Sequence, residues 1–139
     1  MKYVMTVLAL IVAATAVSGQ SAPANPLVGA WKIDSAQPGL YLFTKSHYSF
    51  SRIQGEPLPE YPSNDKATDA QKVAVFNTLY LNSGTYTVTG NMLATKAMMA
   101  KSKFAIGGAG NQYEFTITGN ALTLTQKPSG AVLKLTRLE

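Results

Sequence analysis

From residue 27 onward the chain is a run of short extended segments cut by turn signals, and this rhythm narrows what it can fold into. Residues 27–35 place Gly29, Trp31 and Ile33 on one face and Lys32 and Asp34 on the other. Gln37-Pro38-Gly39 turns the chain into the apolar run 40–44, and 47–53 returns, so the pair reads as a hairpin around Lys45-Ser46. Further on, Gly90-Asn91, Gly119-Asn120 and Pro128-Ser129-Gly130 separate alternating runs that end with Leu133, Leu135 and Arg137 on one face. Gly and Asn accept the backbone conformations that tight hairpins demand. About eight short strands in one domain would leave two edges of unpaired amides, and closing the sheet removes both. The predicted fold class is therefore all-β, a small closed antiparallel up-and-down β-barrel with one short mid-chain helix.

That helix is signalled after a break. Pro57, Pro59 and Pro62 interrupt residues 54–64, a density that neither a helix interior nor a central strand accepts. Thr68-Asp69-Ala70-Gln71 then reads as a capping box. Val73, Phe76, Leu79 and Tyr80 recur at helical spacing, and Asn82-Ser83-Gly84 is the expected stop. The helix is predicted to plug one barrel end with Val73, Phe76 and Tyr80; a lid over the interior is the other reading. After residue 85 everything is expected to be strand, including a stretch reaching Phe104 and Ile106, with Gly107-Gly108-Ala109-Gly110 a loose loop.

Ahead of the domain, Lys2 precedes an apolar run over 4–17, and Ala14, Ala16 and Gly19 supply small residues for cleavage. This is the layout of a secretory signal peptide, and the run is too short to span a bilayer comfortably. The predicted organisation is a signal peptide over 1–19, a flexible leader over 20–26 and the barrel domain over 27–139. After cleavage no membrane-spanning segment is expected. Export would license disulfides, yet the chain has no cysteine. It therefore lacks a lipobox and must gain its stability from burial and sheet closure. A periplasmic or secreted bacterial protein is the expected setting. Twelve Lys and Arg against seven Asp and Glu give a net charge of +5. The lysines are scattered rather than gathered on one stripe, which argues against nucleic acid as a partner.

The stretches Leu27-Val28-Gly29-Ala30-Trp31-Lys32, Gly39-Leu40-Tyr41-Leu42-Phe43-Thr44, Ser83-Gly84-Thr85-Tyr86-Thr87-Val88 and Tyr113-Glu114-Phe115-Thr116-Ile117-Thr118-Gly119-Asn120, taken in order, resemble the bacterial lipocalin-like domain family of the wider calycin group. The resemblance implies a closed barrel in which the tryptophan of Gly-x-Trp packs at the closed end beneath an arginine of the last strand. Trp31 and Arg137 are the matching positions, with a structural role. The chain is shorter than a typical secreted lipocalin and carries its helix mid-chain, so the resemblance implies the scaffold and names no ligand.

Candidate ligand contacts are the strand aromatics Tyr41, Phe43, Tyr48, Phe50, Tyr86, Tyr113 and Phe115. In a barrel this small they either fill the interior or line a cavity for one small molecule. Arg52 shares the face of Tyr48 and Phe50. It must either meet a carboxylate, a carbonyl or an anionic ligand, or reach water at the rim. His47 is the only histidine and lies on the opposite face, where hairpin or surface duty is expected. One histidine without cysteine gives no zinc site of usual composition, and no Gly-x-Ser-x-Gly elbow or P-loop is present. No metal or cofactor is predicted. The function read from these residues is an exported lipocalin-like protein binding a small apolar or amphipathic molecule inside the barrel. The alternatives are a cyclase or isomerase on the same scaffold, with Tyr48, Arg52 or His47 polarising the substrate, and an envelope protein-interaction or inhibitor barrel with no internal ligand. No catalytic residue and no oligomeric state can be named from the sequence.

Overall fold

In a computed structural model, eight strands hydrogen-bond in sequence order and the last returns to the first, closing an all-antiparallel up-and-down barrel. The structure describes residues 24–139. The signal segment 1–19 and positions 20–23 of the leader lie outside the described residues. The strands are β1 (Gly29–Ile33), β2 (Gly39–Phe43), β3 (His47–Ile53), β4 (Leu79–Thr89), β5 (Met92–Ala100), β6 (Asn111–Thr118), β7 (Ala121–Lys127) and β8 (Val132–Arg137). Helix α1 (Asp69–Thr78) joins β3 to β4, and the short helix α2 (Lys103–Gly107) joins β5 to β6. Among the described residues no helix is long and apolar enough to cross a membrane.

Closure is a ladder of three pairs between β1 and β8, Trp31↔Arg137, Lys32↔Thr136 and Ile33↔Leu135, of which the first carries the side-chain contact. Trp31 of β1 sits directly opposite Arg137 of β8. The guanidinium carbon lies 4.0 Å from the centre of the indole ring, and Trp31 is wholly buried. Arg137 Nη1 donates to the Val28 carbonyl at 2.9 Å and Nη2 to the Pro26 carbonyl at 2.6 Å. Trp31 Nε1 donates to the Leu27 carbonyl at 2.8 Å. Residues 25–28 are thereby drawn across the barrel end as a floor, with Leu27 fully buried beneath it. Asn25 and Pro26, counted with the leader in sequence, are thus hydrogen-bonded to the barrel. Gly29 is required here. Its φ is 133°, and a Cβ would strike the Glu139 carbonyl oxygen.

Alternation then sorts every strand into an inner and an outer face. Ile33, Leu93, Leu122, Leu124 and Leu135 are buried to within 1% beside Trp31. Because strands run up and down, the turns at 44–46, 90–91 and 119–120 share the floor end. The four other connections, including those carrying α1 and α2, share the opposite end, the mouth.

Three expectations are corrected. The capping box forms, with Gln71 N–H donating to Thr68 Oγ1 at 3.2 Å and Thr68 N–H to Gln71 Oε1 at 2.9 Å. Yet α1 ends at Thr78, and Leu79, Tyr80 and Asn82-Ser83-Gly84 lie in β4, paired with β3 from Ile53↔Leu79 to His47↔Thr85. The ladder that β3 needs on its free side outweighs the helical spacing of two apolar residues. Gly84 is not a helix stop. A β5 bulge lies opposite the Ser83–Gly84 step, and a Cβ on Gly84 would collide with the Lys96 carbonyl oxygen. Second, residues 103–107 form α2 rather than strand, with Ser102 Oγ accepting from Phe104 N–H at 3.2 Å. Third, α1 does not plug the barrel: none of its residues is buried, and Val73 and Phe76 are each 57% exposed.

Replacing Trp31 by Ala should cost about 3–5 kcal/mol in urea unfolding, as expected for a large side chain lost from a core. A double-mutant cycle with Arg137→Met should return a coupling of about 0.5–2 kcal/mol, the range for a desolvated guanidinium on an indole.

Candidate functional site

The lower half of the interior is filled by rings packed on rings. Tyr41 stacks on Phe43 with centroids 4.3 Å apart, and meets Phe50 edge-on at 4.9 Å and Tyr48 at 5.8 Å. Phe43 meets Tyr86 edge-on at 5.1 Å. Tyr86 belongs to the floor, its hydroxyl donating to the Thr44 carbonyl at 2.5 Å and accepting from Asn25 Nδ2 at 2.7 Å. Phe115 is buried in the same core. Phe43, Tyr86 and Phe115 are therefore packing partners well below the mouth.

A hollow of about 420 Å³ at the floor end is bordered by Asn25, Pro26, Lys45, Tyr86 and Val88, and at the mouth two adjoining clefts share Tyr80 and Asn111 as walls. The first, about 140 Å³, is bounded by Phe50, Arg52, Tyr113, Gln126 and Leu133. The second, about 350 Å³, runs from Tyr48, Asn82 and Thr95 out to Phe104 and the residues after α2. Small-molecule sites commonly occupy some 300–1,000 Å³. Of the sequence-predicted contacts, Tyr48, Phe50, Arg52 and Tyr113 converge here. Tyr41, cross-strand from Phe50, is buried against that ring and lines neither cleft.

Arg52 lies near the end of β3, cross-strand from Gly39 and Tyr80. Its Nη2 donates to Gln54 Oε1 at 2.9 Å, and its guanidinium carbon stands 6.0 Å from the centre of the Phe50 ring. Its Nε–H is buried with no hydrogen-bond partner in the protein. Among the described residues the ion pairs are Lys72–Asp69 and Lys127–Glu114, so no carboxylate answers Arg52. A buried donor attached to a cation costs about 1–3 kcal/mol or more when left unmade, which singles this atom out.

The phenols around it are held neutral. Burial pushes the Tyr113 hydroxyl up to about 12, with neighbouring Tyr80 and Tyr48 adding and Arg52 partly offsetting. Burial also raises Tyr41 well above the usual phenol range, with Tyr113 adding to it. Tyr48 is raised by burial, partly offset by the Thr95 hydroxyl. Asn111 ties the polar wall together, its carbonyl accepting from Thr95 Oγ1 at 3.4 Å and its Oδ1 from Gln126 Nε2 at 3.2 Å. The mouth thus offers neutral hydroxyl and amide groups and one guanidinium, over an apolar base of Phe50 and Leu133.

His47 is elsewhere. It is exposed on the outer wall in the floor-end hairpin, with Nδ1 2.9 Å from Ser46 Oγ. Sequence reading missed Tyr80, Asn82, Thr95, Asn111 and Gln126. Strand parity was the available signal: Thr95 alternates with Leu93 and Ala97, Asn111 with Tyr113, and Gln126 with Leu122 and Leu124.

The closed eight-stranded barrel is compatible with a calycin-like fold. Compared with protein-family models, curated proteins and solved structures, the chain finds no significant match.

A phenol whose folded pKa exceeds its unfolded value keeps its proton in the native state while the unfolded chain loses it. The stabilisation from Tyr113 is complete below pH 10 and disappears as pH climbs toward 12. Over that window unfolding free energy should fall by about 2 kcal/mol more in the wild type than in Tyr113→Phe, measured by urea denaturation at stepped pH.

Proposed function

We propose that this protein is an exported binding module that holds a small amphipathic molecule at the barrel mouth. Its apolar part rests on Phe50, Tyr80 and Leu133, and its anionic or hydrogen-bond-accepting end meets Arg52 and Tyr113. The observation that carries this reading is the buried, unanswered Nε–H of Arg52, a residue whose side chain borders open volume beside Phe50, Tyr80 and Tyr113. Charge-assisted hydrogen bonds are the strong ones, and the site adds neutral phenols that act as donors. The ring-packed lower interior gives the ligand a rigid seat above the core rather than a place within it. Export is supported by the apolar 4–17 segment behind Lys2 and the small residues that close it.

The test uses anilinonaphthalene sulfonate, which joins a fused aromatic body to a sulfonate. Its fluorescence should rise on binding to the wild type. Arg52→Gln should weaken that binding about tenfold, the equivalent of one hydrogen bond to a charged group. Leu133→Trp, which fills the first cleft, should do likewise, while Phe43→Leu in the lower interior should leave affinity within about twofold. Equal affinity in the wild type and a folded Arg52→Gln variant would overturn the reading.

A further inference from the structure

Residues 92–113, from the start of β5 into β6, carry Lys96, Lys101 and Lys103 and no carboxylate. The same stretch exposes Met98 by 64%, Met99 by 58% and Phe104 by 91%. Two backbone features produce this. The β4–β5 register steps from Ser83↔Met99 to Gly84↔Ala97, so Met98 is the extra residue of a bulge and stands outside with Met99. Ser102 caps α2 clear of the barrel wall, and no α2 residue is buried. Beside them Phe76 of α1 is exposed too. The Lys101 ammonium lies 4.6 Å from its ring centre and donates to its carbonyl.

Apolar side chains from α1, β5 and α2 are thus gathered on one sector of the mouth end, interleaved with ammonium groups of one sign. The nearest acidic residue on α1, Asp69, belongs to its first turn, about 10 Å of helix away from Phe76, and pairs with Lys72 at 3.6 Å. Glu56, Glu60 and Asp65 lie in the same mouth-end connection ahead of α1, where the Glu60 carbonyl accepts from Gln71 Nε2 at 3.0 Å in the first turn of the helix, the end away from Phe76. Single-sign charge around protruding Phe and Met side chains matches an anionic lipid surface, whose phosphates meet the lysines while the apolar tips enter the acyl boundary.

We propose that this sector docks the barrel on an anionic bilayer, with Met98, Met99 and Phe104 inserted and Lys96, Lys101 and Lys103 at the headgroups. The proposal stands independently of any ligand at the mouth.

The apolar segment at 4–17 is itself capable of binding lipid, so the readout is placed at the site. In the full chain carrying Phe104→Trp, emission is followed on adding vesicles of equimolar phosphatidylglycerol and phosphatidylcholine. Trp31 is buried at the floor and serves as an unchanging background. Emission from the introduced indole should move to the blue and be quenched by brominated acyl chains. Changing Lys96, Lys101 and Lys103 to Gln should weaken partitioning about a hundredfold, at the usual contribution of a lysine near such a surface. Changing Met98 and Met99 to Ser should weaken it further. No blue shift, an equal shift on pure phosphatidylcholine, indifference to the lysine changes, or a shift already present through self-association without lipid would each overturn the proposal.

Discussion

A guanidinium laid on an indole holds this barrel together. Arg137 stacks on Trp31 and also donates to the carbonyls of Pro26 and Val28, so one side chain joins the first strand, the last strand and the segment that precedes them. Without cysteine the chain has no covalent means of sealing itself, and closure does that work by pairing the last strand with the first. Wrapping residues 25–28 under the floor also fixes the asymmetry of the molecule. Once the chain enters at that end, up-and-down order sends the first, third, fifth and seventh connections to the other. The helical connections are the third and fifth, and so both stand at the mouth.

The legible part of the fold was the part written in local chemistry. Gly90-Asn91 and Gly119-Asn120 make the turns their composition demands, and Thr68 and Gln71 form the reciprocal cap their spacing implies. The Trp31–Arg137 contact follows from placing the first and last strands of a closed sheet side by side. What stayed hidden depended on partners distant in sequence. Leu79 and Tyr80 fit a helix face as well as a strand. Only the unmet amides of β3 decide between them, and those are invisible in a local window. Phe104 and Ile106 alternate as a strand would, yet the ladder between β5 and β6 stops at Thr95↔Asn111 and leaves the residues between free to form α2.

The same locality explains how much of the site could be read. Tyr48, Phe50, Arg52 and Tyr113 stood out because aromatic and charged residues on an inward face are conspicuous. Asn82, Thr95, Asn111 and Gln126 occupy inward positions as well, but small polar residues look like interruptions of an apolar pattern rather than members of it. Their depth follows a gradient. At the floor, rings meet rings, and the Trp31 indole and Tyr86 phenol each donate to a backbone carbonyl. Toward the mouth, amides and hydroxyls replace aliphatic side chains where water can reach them, which keeps the cost of burying polarity low.

Charge at the mouth end is mixed in the connection that carries α1, where Glu56, Glu60 and Asp65 stand with Lys66 and Lys72, and is basic along β5 and α2. Glu114 is tied to Lys127 at 2.7 Å, and the Asp34 carboxylate accepts from Thr136 Oγ1 at 3.0 Å, both on exposed side chains. Asp69 is engaged within α1. Among the described residues nothing acidic lines the clefts; Arg52 borders the first of them, Lys101 precedes α2 and Lys103 opens it. A phenol that titrates only in strongly alkaline solution adds no negative charge, so at neutral pH the charged group bordering the first cleft is the Arg52 guanidinium. Both proposals place their anions, a soluble amphiphile and a lipid headgroup, at the same end of the barrel. The two proposals still separate by depth: the inner cation lies among buried rings, whereas the outer lysines stand among exposed Met and Phe side chains.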